Sequence, residues 1–333
     1  MRDAIGRCLE RAGGPADPNL PEIQREYARA AIEPVATRAA PGGNAPLVLS
    51  VLRNEIDIVG DFLRHYRKAG IERFVMLDNG SDDGTFEYLA RQHDVDLYRT
   101  GAAFTTLKKQ AWINILLDTY HREGTWFIYA DADEQIVFDG LDAGRSFRDL
   151  AAAMDRAGIR RVRGCLVDMY SQNPFAPASY RRGDALVESR PFFDKTGYRE
   201  YALPPLIARE GGPRQRLFST PSGDFRPQLT KYPMFRLDPG DVFVDPHFLW
   251  PYEKNFVSAC FLGILHFKFL PDFSLKVDRT IEERTHWQSS FEYRCYKSAL
   301  SAKDHLTFIN GNTELYKGPE SLVQNNLISS VTW

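Results

Sequence analysis

The sequence predicts an α/β domain built on a doubly wound, mostly parallel sheet, with an irregular second half and helices at its C-terminal end. Three observations predict it. Short apolar runs alternate with helical periods from Leu47 to Ala130, four strands separated by three helices, within about 85 residues. Polar clusters follow the predicted strands directly: Arg53-Asn54-Glu55, Asp78-Asn79 and Asp131-Ala132-Asp133-Glu134. Sheets of this kind bind their ligands at those strand ends. Finally, 43% hydrophobic and 26% charged residues describe a globular chain and exclude a disordered one.

The elements follow in order. Residues 1–44 read as an N-terminal helical appendage and linker. Helices are expected over 2–11 and 22–32, separated by Gly13, Gly14, Pro15 and Pro18, with Pro41-Gly42-Gly43-Asn44 closing the segment. Residues 45–145 form the regular α/β half. Leu47 to Leu52 is the kind of apolar run buried on both faces of a parallel sheet. The helix expected over 55–69 carries Val59, Phe62, Leu63 and Tyr66 on one face and stops at Gly70. Strands are expected at 74–77, 95–98 and 126–130, and helices at 85–91 and 107–120. Residues 146–271 hold a strand at 160–167, a Pro-, Gly-, Arg- and aromatic-rich stretch over 171–227 without a period, and a late strand at 261–269. The tail, 272–333, carries two helical patterns, 273–284 and 289–302.

Charge and cysteine usage exclude several classes. Lys and Arg total 42 against 44 Asp and Glu, a formal charge of −2, so no basic excess argues for nucleic acid. Cys8, Cys165, Cys260 and Cys295 form no Cys-x-x-Cys pair, which excludes a zinc ribbon and suits a reducing cytosol. The first residues include Asp3 and Glu10 and no long apolar stretch, so no secretory signal is expected. The most apolar later run, 256–270, contains His266 and Lys268 and is too short to span a bilayer.

The sharpest chemical feature is the strand that ends in Asp131, Asp133 and Glu134. Alternate residues of extended chain point the same way, so Asp131 and Asp133 can share one direction. Their repulsion is relieved by a divalent ion, Mn²⁺ or Mg²⁺, held together with substrate phosphate oxygens. A solvated acidic turn is the plainer alternative. The cluster Asp78-Asn79-Gly80-Ser81-Asp82-Asp83-Gly84-Thr85 supplies Asx turns and a helix cap, most of all through Ser81 to Asp83, while Asp78 and Asn79 stand at the strand end. His266 and Lys268 alternate with Leu265 and Phe267, so the polar pair faces one way. A lone strand histidine is more often structural than functional.

Taken in order, Val51-Leu52-Arg53-Asn54-Glu55, His65-Tyr66-Arg67-Lys68-Ala69-Gly70, Leu77-Asp78-Asn79-Gly80-Ser81-Asp82-Asp83-Gly84-Thr85 and Ala130-Asp131-Ala132-Asp133-Glu134 resemble a family 2-type glycosyltransferase. The resemblance covers about Leu47 to Phe138. It implies the GT-A fold, a Rossmann-like nucleotide-sugar-binding sheet in 45–145, an acceptor side in 146–271, and a nucleoside diphosphate sugar donor, a UDP-sugar in the first place. It places Asn54 and Glu55 beside the nucleoside, and Asp78 and Asn79 at the base. Lys108, Lys109 and Asn114 approach the donor, and Asp131 and Asp133 bind the metal, with Asp131 also against the donor. His266 is implied as third metal ligand, with His247 its rival, and Lys268 as a phosphate contact. Asn79 stands where the commoner pattern has a second Asp, which leaves the base preference open.

An inverting transfer needs a carboxylate base beyond the metal motif. Asp168, which ends the strand 160–167, is the first candidate and Asp194 the second, with Glu188 behind them; a cap or turn role competes for Asp168. Arg209, Arg214 and Arg216 flank Gly211-Gly212-Pro213 and, with Lys231, offer phosphate contacts or solvated surface charge. Glu134 and His247 are further acceptor or phosphate candidates. The expected activity is transfer of a sugar to a hydroxyl of a saccharide or lipid-linked acceptor, as in polysaccharide biosynthesis. A sugar-nucleotide nucleotidyltransferase and a non-catalytic GT-A-like binding module are the alternatives. The former would want a Gly-rich basic loop after the first strand, and 53–57 has no glycine. The missing Gly-x-Gly-x-x-Gly after the first strand counts against a Rossmann dehydrogenase. The chain is expected in the cytoplasm. Lys276, Arg279, Arg284 and Trp287 of the tail are candidate contacts to the inner face of a membrane or to a second subunit, as in a homodimer.

Overall fold

The computed structural model describes residues 17–38, 45–203, 206–219, 225–283, 287–302 and 306–333. The helix expected over 2–11 and the linker 41–44 lie outside the described residues. The first half runs α1 (Leu20–Arg29), β1 (Glu33–Ala36), β2 (Leu47–Leu52), α2 (Val59–Lys68), β3 (Phe74–Asp78), α3 (Thr85–Ala90), β4 (Val95–Arg99), α4 (Thr106–Tyr120), β5 (Trp126–Tyr129), β6 (Glu134–Phe138) and α5 (Phe147–Arg156). There follow β7 (Arg161–Asp168), β8 (Phe192–Asp194), β9 (Tyr198–Leu203), β10 (Leu206–Gly211), α6 (Gly212–Phe218), β11 (Thr230–Arg236), β12 (Val242–Phe243), β13 (Leu249–Trp250) and β14 (Leu262–His266). The tail holds α7 (Phe273–Glu283), α8 (Trp287–Ala302), β15 (Thr313–Leu315) and α9 (Pro319–Gln324).

Nine strands form one mixed sheet in the order β1-β4-β3-β2-β5-β11-β7-β14-β6. Its parallel heart is β4-β3-β2-β5, and β7 and β14 are parallel to each other. β1, β11 and β6 pair antiparallel with their neighbours. The α/β class and the Rossmann-like, doubly wound arrangement are therefore those the alternating pattern predicts. β2 shows why its sequence is apolar throughout. Val48 and Leu52 pack with Val59, Phe62 and Leu63 of α2, whereas Leu47, Leu49 and Val51 pack with Trp112, Ile113 and Leu116 of α4. Each such fully buried side chain contributes roughly 1.5–3 kcal/mol. A third apolar cluster joins Phe218 of α6, Phe269, Phe273 and Tyr296, and so fixes the tail helices over the second half of the sheet.

Several strands carry no clear signal in the sequence. β1 contains Pro34 and is exposed, which a strand tolerates at a sheet edge, where its N–H needs no partner. β11 contains Pro233 yet is central; the register shifts between Lys231 and Met234, and such a bulge removes the need for the missing N–H. β6 begins on Glu134 itself, so the acidic turn is followed at once by a buried strand. The sheet draws β1 from the N-terminal segment and β7, β11 and β14 from the second half, so it runs through three of the four stretches the sequence separates.

The start of α2 moves from the expected residue 55 to Val59. Asn54 adopts a left-handed φ of 58°, and residues 54–56 are clamped by the 81–85 cluster. The Asn54 amide N–H donates to Ser81 Oγ (3.0 Å), that of Glu55 to Thr85 Oγ1 (2.9 Å) and that of Ile56 to Asp83 Oδ2 (3.0 Å). Gly211 poses a comparable constraint at the junction of β10 and α6. Its φ is 124°, and a Cβ there would stand 2.2 Å from the Gly197 carbonyl oxygen. Gly211→Ala is expected to destabilise the protein by more than about 1 kcal/mol in a urea melt, while Gly144→Ala, whose Cβ would meet nothing within 4 Å, reports the cost of a positive φ alone.

Candidate active site

Strand ends bring the polar residues together. β5 delivers Asp131, and a turn closed by the Glu134 N–H on the Asp131 carbonyl (3.0 Å) carries the chain into β6. In β14, His266 lies opposite Glu134 of β6 on one side and Asp168 of β7 on the other. Residues far apart in sequence thus meet because three strand termini share a register.

Asp131 and Asp133 have different partners. Asp131 Oδ1 accepts from Lys109 Nζ (2.8 Å) and from the Tyr129 hydroxyl (2.7 Å), and Lys231 Nζ stands 3.7 Å from Oδ2. Lys231 is itself buried and pairs with Glu134 at 2.5 Å. Burial works to raise the Asp131 carboxyl, yet Lys109 and Lys231 hold it well below the usual range. The repulsion expected among these carboxylates is therefore relieved by two lysines on the Asp131 side. Asp133 instead faces His266, with Oδ2 3.5 Å from Nε2.

His266 is oriented from behind. Its Nδ1 lies 2.6 Å from Asp168 Oδ1, and Asp168 Oδ2 accepts from Arg214 Nε at 2.8 Å. Arg214 continues to Glu292 of α8 (3.3 Å), which also accepts from the Tyr296 hydroxyl. Burial would raise the Asp168 carboxyl, but Arg214 and His266 hold it at about 2. Burial likewise works to raise Glu292, which Lys268 and Arg214 bring down to about 2. An ionised Asp168 only accepts hydrogen bonds, so Nδ1 carries a proton; burial works to lower the His266 imidazole, yet Asp133 and Asp168 raise it above its ordinary value, and a cation at Nε2 would take the place of the second ring proton.

Asp133 and His266 border a cavity of about 330 Å³ at the ends of β2 and β5. Lys109, Lys268, Lys276 and Arg279 line it, and Glu55 and Tyr293 complete the wall. Among the described residues no three His, Cys, Asp or Glu side chains form a group able to hold a metal ion. The donor set nevertheless fits a divalent cation that takes substrate oxygens as well: one carboxylate and one imidazole whose other nitrogen is fixed by a buried aspartate. Asp131, taken up by Lys109 and Tyr129, is not offered to it in this structure.

The other expected site residues fall into two groups. Asn54, Glu55, Lys109, Asp131, Asp133, His266 and Lys268 border the one cavity. Asn54 spends its side chain on Asp82, donating at 2.8 Å and accepting the Asp82 N–H at 2.9 Å. Asp78 and Asn79 are buried at the end of β3, each with one oxygen lacking a hydrogen bond among the described residues. Lys108 donates to the Ala103 carbonyl and borders a different cavity with Arg99 and Glu26. Asn114 is buried and fully used, bonding Gln110 and both backbone groups of Phe243.

Asp168 and Asp194 are both withdrawn from solvent. Asp168 is 1% exposed with both oxygens engaged, and Asp194, 2% exposed, is held by Tyr170 and Arg216. Neither borders the cavity, which corrects the expectation of an acceptor-facing base at either position. Arg209, Arg214 and Arg216 pair with Glu200, Asp168 and Asp194, so they form no free phosphate wall. His247 Nδ1 meets the Thr230 carbonyl at 2.8 Å, and the ring lies outside the cavity that His266 borders. Lys276, Arg279, Glu292 and Tyr293 escape a motif reading. The basic residues at 276 and 279, one helical step apart on α7, are the signal that could have found the first two.

No family model matches the chain, and no curated protein matches it. Several solved structures are similar over part of it, two of them as follows. One is described as a 4-diphosphocytidyl-2C-methyl-D-erythritol synthase, at 14% identity and a TM-score of 0.28, covering 42% of this chain and 70% of that one. The other is described as a putative glucose-1-phosphate thymidylyltransferase from Bacillus anthracis in complex with a sucrose, at 8% identity and a TM-score of 0.25. It covers 39% of this chain and 58% of its own.

Proposed function

We propose that the protein is a glycosyltransferase of the family 2 type, transferring a sugar from a nucleoside diphosphate sugar, first of all a UDP-sugar, to an acceptor hydroxyl with inversion. The single observation that carries this reading is the pairing of Asp133 with an aspartate-oriented His266 on a cavity lined by Lys109, Lys268, Lys276 and Arg279. Such a lining suits a diphosphate, whose charge needs several cationic partners. Mn²⁺ or Mg²⁺ held by Asp133 and His266 would supply charge stabilisation of the departing diphosphate. Lys109 reaches the same place from α4, and its pairing with Asp131 holds the ammonium at the cavity wall. Lys268 lies 5.1 Å from the centroid of Tyr293 and 5.5 Å from that of Tyr296, so aromatic faces steady its charge.

The acceptor is a saccharide or a lipid-linked saccharide. No helix of the described residues is long and apolar enough to cross a membrane. Calorimetry of UDP, GDP, CDP and TDP tests the reading. With Mn²⁺ present, at least one should bind about tenfold or more tightly than in EDTA, and Asp133→Ala should remove that gain. Equal, metal-independent affinity in both proteins would overturn it.

A further inference from the structure

Beside the cavity of Asp133 and His266 lies a second one, of about 210 Å³. The two share Asn54, Glu55, Leu270 and Lys276 and nothing else, so these residues form the partition between them. The outer cavity is walled by Pro177, Tyr180 and Pro271, with the exposed Asp57–Arg182 pair (3.0 Å) at its rim. Apolar walls beneath a polar rim suit a sugar ring, which has apolar faces and hydroxyls at its edge.

Resting on the transferase reading, but moving Glu55 from the nucleoside side that the resemblance implies to the partition it occupies between the two cavities, we infer that this second cavity receives the acceptor saccharide and that Glu55 is the base that takes the proton of its attacking hydroxyl. Asp133 belongs to the proposed cation site, Asp78 is buried and borders neither cavity, and the remaining carboxylates near the strand ends are paired. Asp131 is held by Lys109, Glu134 by Lys231, Asp168 and Glu292 by Arg214, and Asp194 by Arg216. Glu55 gives Oε2 to Lys276 at 3.2 Å, while Oε1 takes no hydrogen bond among the described residues. The backbone beneath it is fixed by the Thr85 and Asp83 bonds of the 54–56 clamp, so the side chain starts from a rigid base. Burial lifts this carboxyl to about 7, against the lowering pull of Lys276, with Asp133 and Asp272 adding to the rise. A base near neutrality is ionised at working pH and still able to hold a proton.

In the step itself, the acceptor oxygen forms a bond to the anomeric carbon as its proton passes to Glu55. The bond from that carbon to the diphosphate oxygen breaks, and its electron pair leaves with the nucleoside diphosphate. Charge, atoms and electrons balance without a further reactant.

The test is release of nucleoside diphosphate from UDP-glucose, UDP-galactose, UDP-N-acetylglucosamine and GDP-mannose with Mn²⁺, using water and a panel of free monosaccharides as acceptors. Glu55→Gln should lower the rate about 100-fold or more while binding of the nucleoside diphosphate itself changes by less than about threefold. Wild-type rate should fall below an acidic limb near pH 7, and Lys276→Met should move that limb to higher pH, because it removes the group that lowers the carboxyl. That second variant keeps the test decisive if Glu55→Gln folds poorly. Wild-type turnover matched by Glu55→Gln, a loss that only tracks weakened nucleotide binding, or a limb unmoved by Lys276→Met would overturn the assignment alone. A wild type that binds no nucleoside diphosphate and turns over no donor would overturn the transferase reading beneath it.

Discussion

Lys231→Met is expected to destabilise the protein by about 3–5 kcal/mol at neutral pH, the cost of stripping one partner from a buried ion pair. Lys231 is 3% exposed and Glu134 2%, and the ammonium also stands near Asp131. Methionine fills the aliphatic volume, so the loss is electrostatic rather than a cavity effect. The pH dependence has a definite sign. Burial raises the Glu134 carboxyl above its ordinary 4.5, and Lys231 works against that rise. Without the lysine, Glu134 is raised further. A group raised in the folded state adds stability below its unfolded value and loses it as pH rises through the folded one. The deficit of Lys231→Met should therefore be larger in urea melts at pH 8 than at pH 5. The double variant with Glu134→Gln should recover most of it, since removing both charges leaves nothing unpaired. A deficit independent of pH and unrelieved by the second change would mean that the pair does not exist in solution.

The same pair shows how far the sequence could be read. A strand ending in Asp131, Asp133 and Glu134 is visible as a pattern, because period-two alternation and abrupt acidity are local properties. What answers the acidity is not local. Lys231 arrives on β11, a central strand whose Pro233 hides it, and Lys109 arrives from α4 on the other side of β5. The parallel heart was legible for the opposite reason. β2 and β3 are buried on both faces, so their sequences are apolar without interruption. The pairing of His266 with Asp168 depends on the register of two parallel strands nearly a hundred residues apart, which no periodicity encodes. Asp168 stood out as a strand-end carboxylate, but only the arrival of Arg214 and His266 shows that it points inward.

On the proposed reading, Asp168→Asn acts on the cation of Asp133 and His266 before it acts on proton transfer. The carboxylate holds the Nδ1 proton of His266 and so sets which nitrogen faces Asp133; an amide can present its NH₂ there and reverse the tautomer. Loss of such an outer partner costs about 10–100-fold in metal affinity, to be read by Mn²⁺ titration in the presence of UDP. Arg214 loses one of its two carboxylates and keeps Glu292, so the stability loss should fall near the lower end of the buried-pair range, about 3 kcal/mol. Here the pH sign is the reverse of that for Lys231→Met. The folded state depresses Asp168 from 3.8 to about 2, so its contribution is complete above pH 4 and disappears as pH falls toward 2. The gap between wild type and Asp168→Asn should be widest near pH 5 to 6, narrow as pH rises through the titration of His266, which Asp168 helps to hold above its ordinary value, and close again in acid. A variant that melts early yet binds Mn²⁺ and UDP as tightly as wild type would leave Asp168 a structural counter-ion to Arg214 and remove His266 from the metal.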